Sequence, residues 1–307
     1  MSLPSFYDSS RVGKLFSPKI QAAVDAGIAR RLPAASEDAP KVALVLVDMQ
    51  VDFIHRDGAL PVPGAIDDCR RVIDWIYRNV DSIGKIFLSL DSHYPLQIFF
   101  STWWRDAAGN HPAPNTIISA SDVEGDRWRP LYEAEWSRQY VAQLEAQHRK
   151  KLMIWPYHTM LGTVGHNLSP SLYEAICYHS AARGRQPAKL IKGSIPQTEH
   201  YSILEPEVKT ANQPQGDVNH ALLRELGEYD LIYLAGQAKS HCVLETVNSI
   251  MRAWAPRPER IKRLRILEDG MSSVVLPGID FEAMADAAYQ LHRDQGLTFT
   301  RTTEAIG

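Results

Sequence analysis

The sequence predicts an α/β protein: a three-layer sandwich with a mostly parallel sheet of about six strands and helices on both faces. Three observations carry this. Short apolar runs recur along the chain, and a longer amphipathic stretch follows nearly every one. The strongest run, 42–47 (VALVLV), is continuously apolar rather than alternating, as a strand buried on both faces must be. Strand alternating with helix is the pattern of a parallel sheet covered on both sides.

Taken in order, the strand candidates are 42–47, 85–90 (KIFLSL), 152–155 (LMIW), 188–191 (AKLI) and 231–235 (LIYLA). Residues 265–267 and 297–300 are weaker ones. Helical spacing covers 67–80, where Val72, Ile73, Ile76 and Val80 share one face, and then 133–150, 172–183, 219–226, 243–254 and 281–293. Two regions fall outside the rhythm. Residues 1–40 form an N-terminal extension, with a short helix near 20–31, expected to pack on the core or on a partner subunit. Residues 41–307 are expected to form one domain, with a loop and helix insertion at about 94–150; its first part, 94 to about 132, is rich in Trp, Pro, Gly and Asp with little periodicity, and such a long connection suits a lid or binding loop.

Composition sets bounds on function. The chain has 307 residues, 45% hydrophobic and 22% charged, an ordinary globular balance. A formal net charge of -3 gives no basic field for nucleic acid or for an acidic membrane surface. No apolar stretch approaches the roughly 20 residues of a membrane span, and the opening residues do not read as a signal peptide. Three cysteines, Cys69, Cys177 and Cys242, do not form a disulfide framework, so a reducing, cytoplasmic setting is expected. Cys69 and Cys177 fall in helical patterns and read as packing. The turn after the first strand is DMQVDF, not glycine-rich, so the dinucleotide fingerprint is absent.

In an open α/β sheet, ligands sit at the carboxyl ends of the strands. The residues found there are Asp48, then Asp91 and His93, then His158, then Lys192, then the segment 236–242 ending in Cys242. Cys242 opens a helical pattern, where free N–H groups and partial positive charge favour a thiolate and can hold an oxyanion. Taken alone, such a cysteine is more often a small buried core residue. Asp48 ends a wholly apolar strand, where a carboxylate must be paired or neutral. Lys192 is an amine at the end of another buried strand. Asp91, His93 and His158 suit a divalent metal, although a lone D-x-H carries a high false-positive risk. Phe53, Phe99, Trp103, Trp104 and Tyr201 could line a slot for a flat ring, the commoner use of aromatics being core packing. His241 stands beside the nucleophile candidate and reads as structural.

The segments VDMQVDF (47–53), KG (192–193) and GQAKSHCV (236–243) resemble the isochorismatase-like cysteine hydrolases, and within them the nicotinamidases. That resemblance implies an isochorismatase-like, Rossmann-like topology and a triad of Asp48, Lys192 and Cys242. It also implies a cis peptide just before Ala238, with the amides of Ala238 and Cys242 as the oxyanion hole. The D-x-H of Asp91 and His93 and the WP-x-H ending at His158 are similar to the metal motifs of nicotinamidases. They imply a divalent cation, zinc first among candidates, that orients a pyridine ring; of the aromatic residues above, Phe53 and Tyr201 are the ones expected to line the substrate. The further histidine that many nicotinamidases carry soon after the D-x-H is absent: His111 stands as its replacement from a longer loop, or the site has three protein ligands. The function implied is hydrolysis of a small carboxamide, first nicotinamide to nicotinate and ammonia, through a thioester, by a cytoplasmic homo-oligomer. A ureido or carbamoyl amidase of the same superfamily, and a non-catalytic binding protein on the same fold, are the alternatives.

Overall fold

The structure is a computed structural model, and it describes residues 3–147, 149–211 and 213–307. Six strands build the central sheet: β1 (Val42–Val47), β2 (Ile83–Asp91), β3 (Ala188–Lys192), β4 (Leu231–Gly236), β5 (Leu264–Leu267) and β6 (Thr298–Thr300). Their order is β6-β5-β4-β1-β2-β3, and every neighbouring pair runs parallel. β1 is central and buried at all six positions, which is why its sequence shows no alternation. β3 lies at one edge and is only partly buried.

The main helices are α1 (Ile20–Ile28), α2 (Ala65–Arg78), α3 (Ala134–Ala146), α4 (Pro170–Arg183), α5 (His220–Leu226), α6 (Leu244–Trp254) and α7 (Phe281–Asp294). α2 packs against α4, and α1 lies on α4 so closely that a Cβ at Gly27 would meet the backbone of Tyr178 and Ala182. The N-terminal segment continues that packing through Phe6 and Tyr7, whose rings lie 6.0 and 5.0 Å from that of Tyr77. α6 and α7 pack together. Among the described residues no helix is long and apolar enough to cross a membrane.

One strand candidate is corrected. Residues 152–155 do not join the main sheet: Leu152 and Met153 pair antiparallel with Ile118 and Ile117, and Trp155 N–H donates to Phe99 O. The run is apolar because the insertion buries it, and a short apolar run reports burial without saying what does the burying. The two weak candidates, near 265–267 and 297–300, supply β5 and β6 instead. The insertion has structure of its own. Trp104 and Arg105 pair with Pro130 and Arg129, a one-turn helix spans Ala120–Glu124, and α3 follows. Trp136 Nε1 donates to Gln197 O and Tyr140 Oη accepts Glu199 N–H, which fastens α3 to the segment after β3.

The strand order reverses around β1. β2 and β3 lie on one side of it, β4 to β6 on the other. The carboxyl ends of β1 and β4 therefore meet where the topology switches, the place where such sheets leave a crevice.

Candidate active site

At the end of β1 the chain leaves the ladder with Asp48 in the left-handed region, φ +47°. This is a conformation that aspartate tolerates better than a branched residue. Asp48 is fully buried; its Oδ2 lies 2.8 Å from Lys192 Nζ, and its Oδ1 accepts from Ser89 Oγ at 2.5 Å. Lys192 ends β3 and is 1% exposed. Besides Asp48, its ammonium faces Asp91 Oδ1 at 2.8 Å, the carbonyl of His200 at 2.9 Å and Cys242 Sγ at 3.5 Å. Cys242 lies beyond β4 in a π-helical turn, Lys239–Val243, that leads into α6. The Gln237–Ala238 peptide ahead of it is cis. Within the turn, the amides of His241 and Val243 donate to Ala238 O, and that of Lys239 donates to Ser272 O.

The electrostatics follow from burying two carboxylates, one amine and a thiol together. Burial pushes the Asp48 carboxyl up, with Lys192 opposing and Asp91 adding to the rise. Burial likewise drives the Cys242 thiol well above its ordinary value, again against Lys192. Burial works against the Lys192 ammonium, but Asp48 and Asp91 outweigh it and hold the amine well above its usual range. Burial also opposes ionisation of Asp91, yet His93 and Lys192 keep that carboxyl well below its ordinary value. The arrangement is thus a neutral thiol beside a carboxylate with raised proton affinity, both against a fixed ammonium.

Asp91, His93 and His158 converge next to this group, with their ligand atoms all within 4.8 Å of one another. His93 Nδ1 faces Gly193 O at 2.9 Å and His158 Nδ1 faces Pro156 O at 2.8 Å. A carbonyl only accepts, so each Nδ1 carries a proton, and in a neutral ring the lone pair is then at Nε2. Those two Nε2 atoms lie 2.9 and 3.7 Å from Asp91 Oδ2. With neutral rings, three acceptors face one point, and a divalent cation satisfies all three. Burial lowers the pKa of His158, which keeps it in the ligating form. The donor set of one carboxylate and two imidazoles fits zinc or a similar ion. His158 is delivered by the loop after residues 152–155 rather than by a strand of the main sheet. His111 is not part of this group: it is exposed, with Nδ1 against the carbonyls of Trp104 and Ser101 at 2.6 and 3.1 Å.

Aromatic side chains surround the cluster. The ring of Phe53 lies 5.6 Å from that of His158, and Trp155 lies 6.4 Å from His158 and 5.3 Å from His241. Tyr201 accepts a hydrogen bond from Trp155 Nε1 at 3.1 Å and its ring lies 5.4 Å from His241. Of the other slot candidates, Phe99 packs edge-on against His93, while the indoles of Trp103 and Trp104 donate to Ser137 Oγ and Ile98 O. The last two are packing residues of the insertion. His241 bonds Ser240 Oγ through Nδ1 and lies 4.8 Å from the ring of Phe281.

Residues to which the sequence reading gave no role hold this geometry. Gln50 clamps the backbone of Asp91, accepting its N–H and donating to its carbonyl, both at 2.8 Å. Asp52 accepts Thr159 N–H at 2.6 Å and so fixes the chain next to His158. Ser89 bonds Asp48. Gln50 and Asp52 stand in the segment VDMQVDF, whose pattern does not say what they bond; Ser89 shows only as a polar residue between apolar neighbours.

No family profile matches the chain and no curated protein matches it by sequence. Solved structures do. A nicotinamidase–pyrazinamidase of Acinetobacter baumanii superposes with a TM-score of 0.55 at 20% identity, over 86% of this chain and 97% of that one. The yeast nicotinamidase bound to the inhibitor nicotinaldehyde gives 0.57 at 17% identity, over 85% and 99%. A protein from L. infantum in complex with nicotinate gives 0.52 at 19% identity, over 87% and 95%. The chain shares their fold, an isochorismatase-like three-layer sandwich.

Proposed function

We propose that this protein is a cysteine-dependent amidohydrolase that cleaves a small pyridine carboxamide, nicotinamide being the first candidate. The observation that carries the reading is the meeting, at one switch point, of Cys242 Sγ, Lys192 Nζ and the Asp48 carboxylate with a convergent Asp91–His93–His158 donor set. The fold shared with solved nicotinamidases supports it.

In this scheme Asp48 takes the proton of the Cys242 thiol as sulfur attacks the amide carbon. The carbonyl electrons move to oxygen, and the amides of Ala238 and Cys242 hold that oxyanion. Asp48 then gives its proton to the leaving nitrogen, the C–N bond breaks, and ammonia leaves a thioester on Cys242. A water molecule, deprotonated by Asp48, attacks the thioester; the carbon–sulfur bond breaks and the proton returns to sulfur, releasing the acid. Lys192 keeps one positive charge against Asp48 and Asp91 throughout, so the thiolate forms beside a cation. Asp91, His93 and His158 would hold the divalent ion, whose chemistry is to bind the ring nitrogen and orient the amide as a template. Phe53 and Tyr201 would flank the ring.

Ammonia release from nicotinamide by zinc-loaded protein tests this, beside Cys242→Ala and His93→Ala. Release by the intact protein that both substitutions abolish is the expected result. Turnover that survives in Cys242→Ala would sink the mechanism. Release from ureido or carbamoyl compounds but not from nicotinamide would keep the cysteine hydrolase and replace the substrate.

A further inference from the structure

Ser89 is a hydroxyl in the middle of an apolar stretch. It lies on β2 between Leu88 and Leu90 and is 1% exposed. An unbonded hydroxyl at such a position costs folding free energy, so its partners are informative. It has two, both on the same residue. Ser89 Oγ accepts the backbone N–H of Asp48 at 3.0 Å and lies 2.5 Å from Asp48 Oδ1.

The directions of these bonds can be assigned. The β1–β2 register is last recorded at Leu46 opposite Leu88, and the chain then turns out of the sheet at Asp48. The Asp48 amide has left the ladder and needs an acceptor, which Ser89 supplies. An amide can only donate, so the single hydroxyl proton points at Asp48 Oδ1. That oxygen is thereby held as an acceptor. The other oxygen, Oδ2, has the Lys192 ammonium at 2.8 Å and, among the described residues, no hydroxyl or amide that fixes it as Ser89 fixes Oδ1.

We propose that Ser89 is a positioning residue that determines which oxygen of Asp48 exchanges the proton with Cys242. By binding the amide and Oδ1 of the same residue, it locks the carboxylate's rotation and leaves Oδ2, on the Lys192 side, as the oxygen that takes the thiol proton while the sulfur–carbon bond forms. The same oxygen returns that proton to the leaving nitrogen. This rests on the role given to Asp48 above. It adds that a strand-borne hydroxyl, outside the three recognised motifs, is part of the machinery.

The test compares Ser89→Thr with Ser89→Val, two side chains of nearly equal shape that differ by a hydroxyl, each in the native and the Asp48→Asn background. Loss of a hydrogen bond to a charged group predicts that Ser89→Val lowers kcat roughly ten- to a hundredfold relative to Ser89→Thr with little change in KM. In the Asp48→Asn background the two should be equal. A second readout needs no amide: the rate at which iodoacetamide alkylates Cys242, followed by peptide mass. It should differ between the Ser89→Thr and Ser89→Val proteins only while Asp48 is present. Equal kcat and equal alkylation for the two variants in the native background would overturn the assignment, as would an undiminished difference in the Asp48→Asn background. If no amide is turned over but the alkylation difference depends on Asp48, the role of Ser89 stands and the substrate reading falls.

Discussion

At the scale of single residues, the site is a charge balance, and each member's removal should have its own signature. Asp48→Asn keeps the left-handed backbone, which asparagine also tolerates, and keeps a partner for Ser89. It removes the proton acceptor, so kcat should fall by about 10²- to 10⁴-fold with folding intact; steady-state kinetics beside a urea melt would show this. Lys192→Met should act differently. It leaves Asp48 and Asp91 facing each other in the interior without a cation. Breaking a buried ion pair on one side costs about 3–5 kcal/mol, so this variant should lose stability as well as activity. A Lys192→Met protein that melts like the native one would show that the ammonium is not what keeps the carboxylates buried. Removal of a metal ligand separates from both: His158→Ala should weaken zinc binding in equilibrium dialysis, while Cys242→Ala should leave it unchanged.

At the scale of elements, strand ends do the positioning, and one turn leaves no room for error. Gly193 follows Lys192 with φ +80°, and a Cβ there would lie 2.5 Å from Asp91 Oδ1 and 2.7 Å from His93 Cε1. Gly193→Ala should therefore push on the metal donor set directly and reduce zinc affinity, a loss that dialysis measures apart from turnover. The sequence made this edge readable because buried parallel strands advertise themselves as apolar runs, and a charged residue closing such a run has to be explained. Asp48, Asp91 and Lys192 were visible for that reason, and Cys242 because its turn has a distinctive motif. The run 152–155 misled because burial by an insertion and burial in a sheet look alike at four residues. β5 was faint because it is only four residues long with the half-buried Arg265 in it, and β6 because it is three residues at the sheet's edge, where fewer apolar positions are required. Ser89 was silent, and Gln50 stood in a quoted motif without a role: a buried polar residue announces that it has a partner, and only the fold says which one. His111 drew attention through its chemistry, and the loop that carries it runs elsewhere.

At the scale of the whole molecule, the insertion and the nucleophile's helix are joined through buried charge, and this makes a prediction about stability. Arg149, at the exit of the insertion, lies 3.6 Å from both Glu207 and Glu245; Lys150 pairs with Glu245 on α6. Glu207 itself is tied to the lysine segment, its N–H donating to Glu199 O. Burial first, and the neighbouring Glu245 second, push the Glu207 carboxyl up to about 7. In the unfolded chain that carboxyl titrates near about 4.3. Between those values the folded protein holds a proton that the unfolded chain has released, so stability falls as pH rises through this window and levels off above it. The shift sets an upper limit of roughly 4 kcal/mol on the effect. Glu245, whose pKa is lowered, acts in the opposite sense and at lower pH, below the window. Glu207→Gln keeps the shape and removes the titration. Urea unfolding at about pH 5 and about pH 7.5, on either side of most of that window, should show the native protein losing stability relative to this variant as pH rises. Parallel curves for the two proteins would mean that Glu207 is already ionised in the fold, with Arg149 as its full counter-charge, and that the junction between insertion and helix α6 is an ordinary ion pair rather than a proton-holding one.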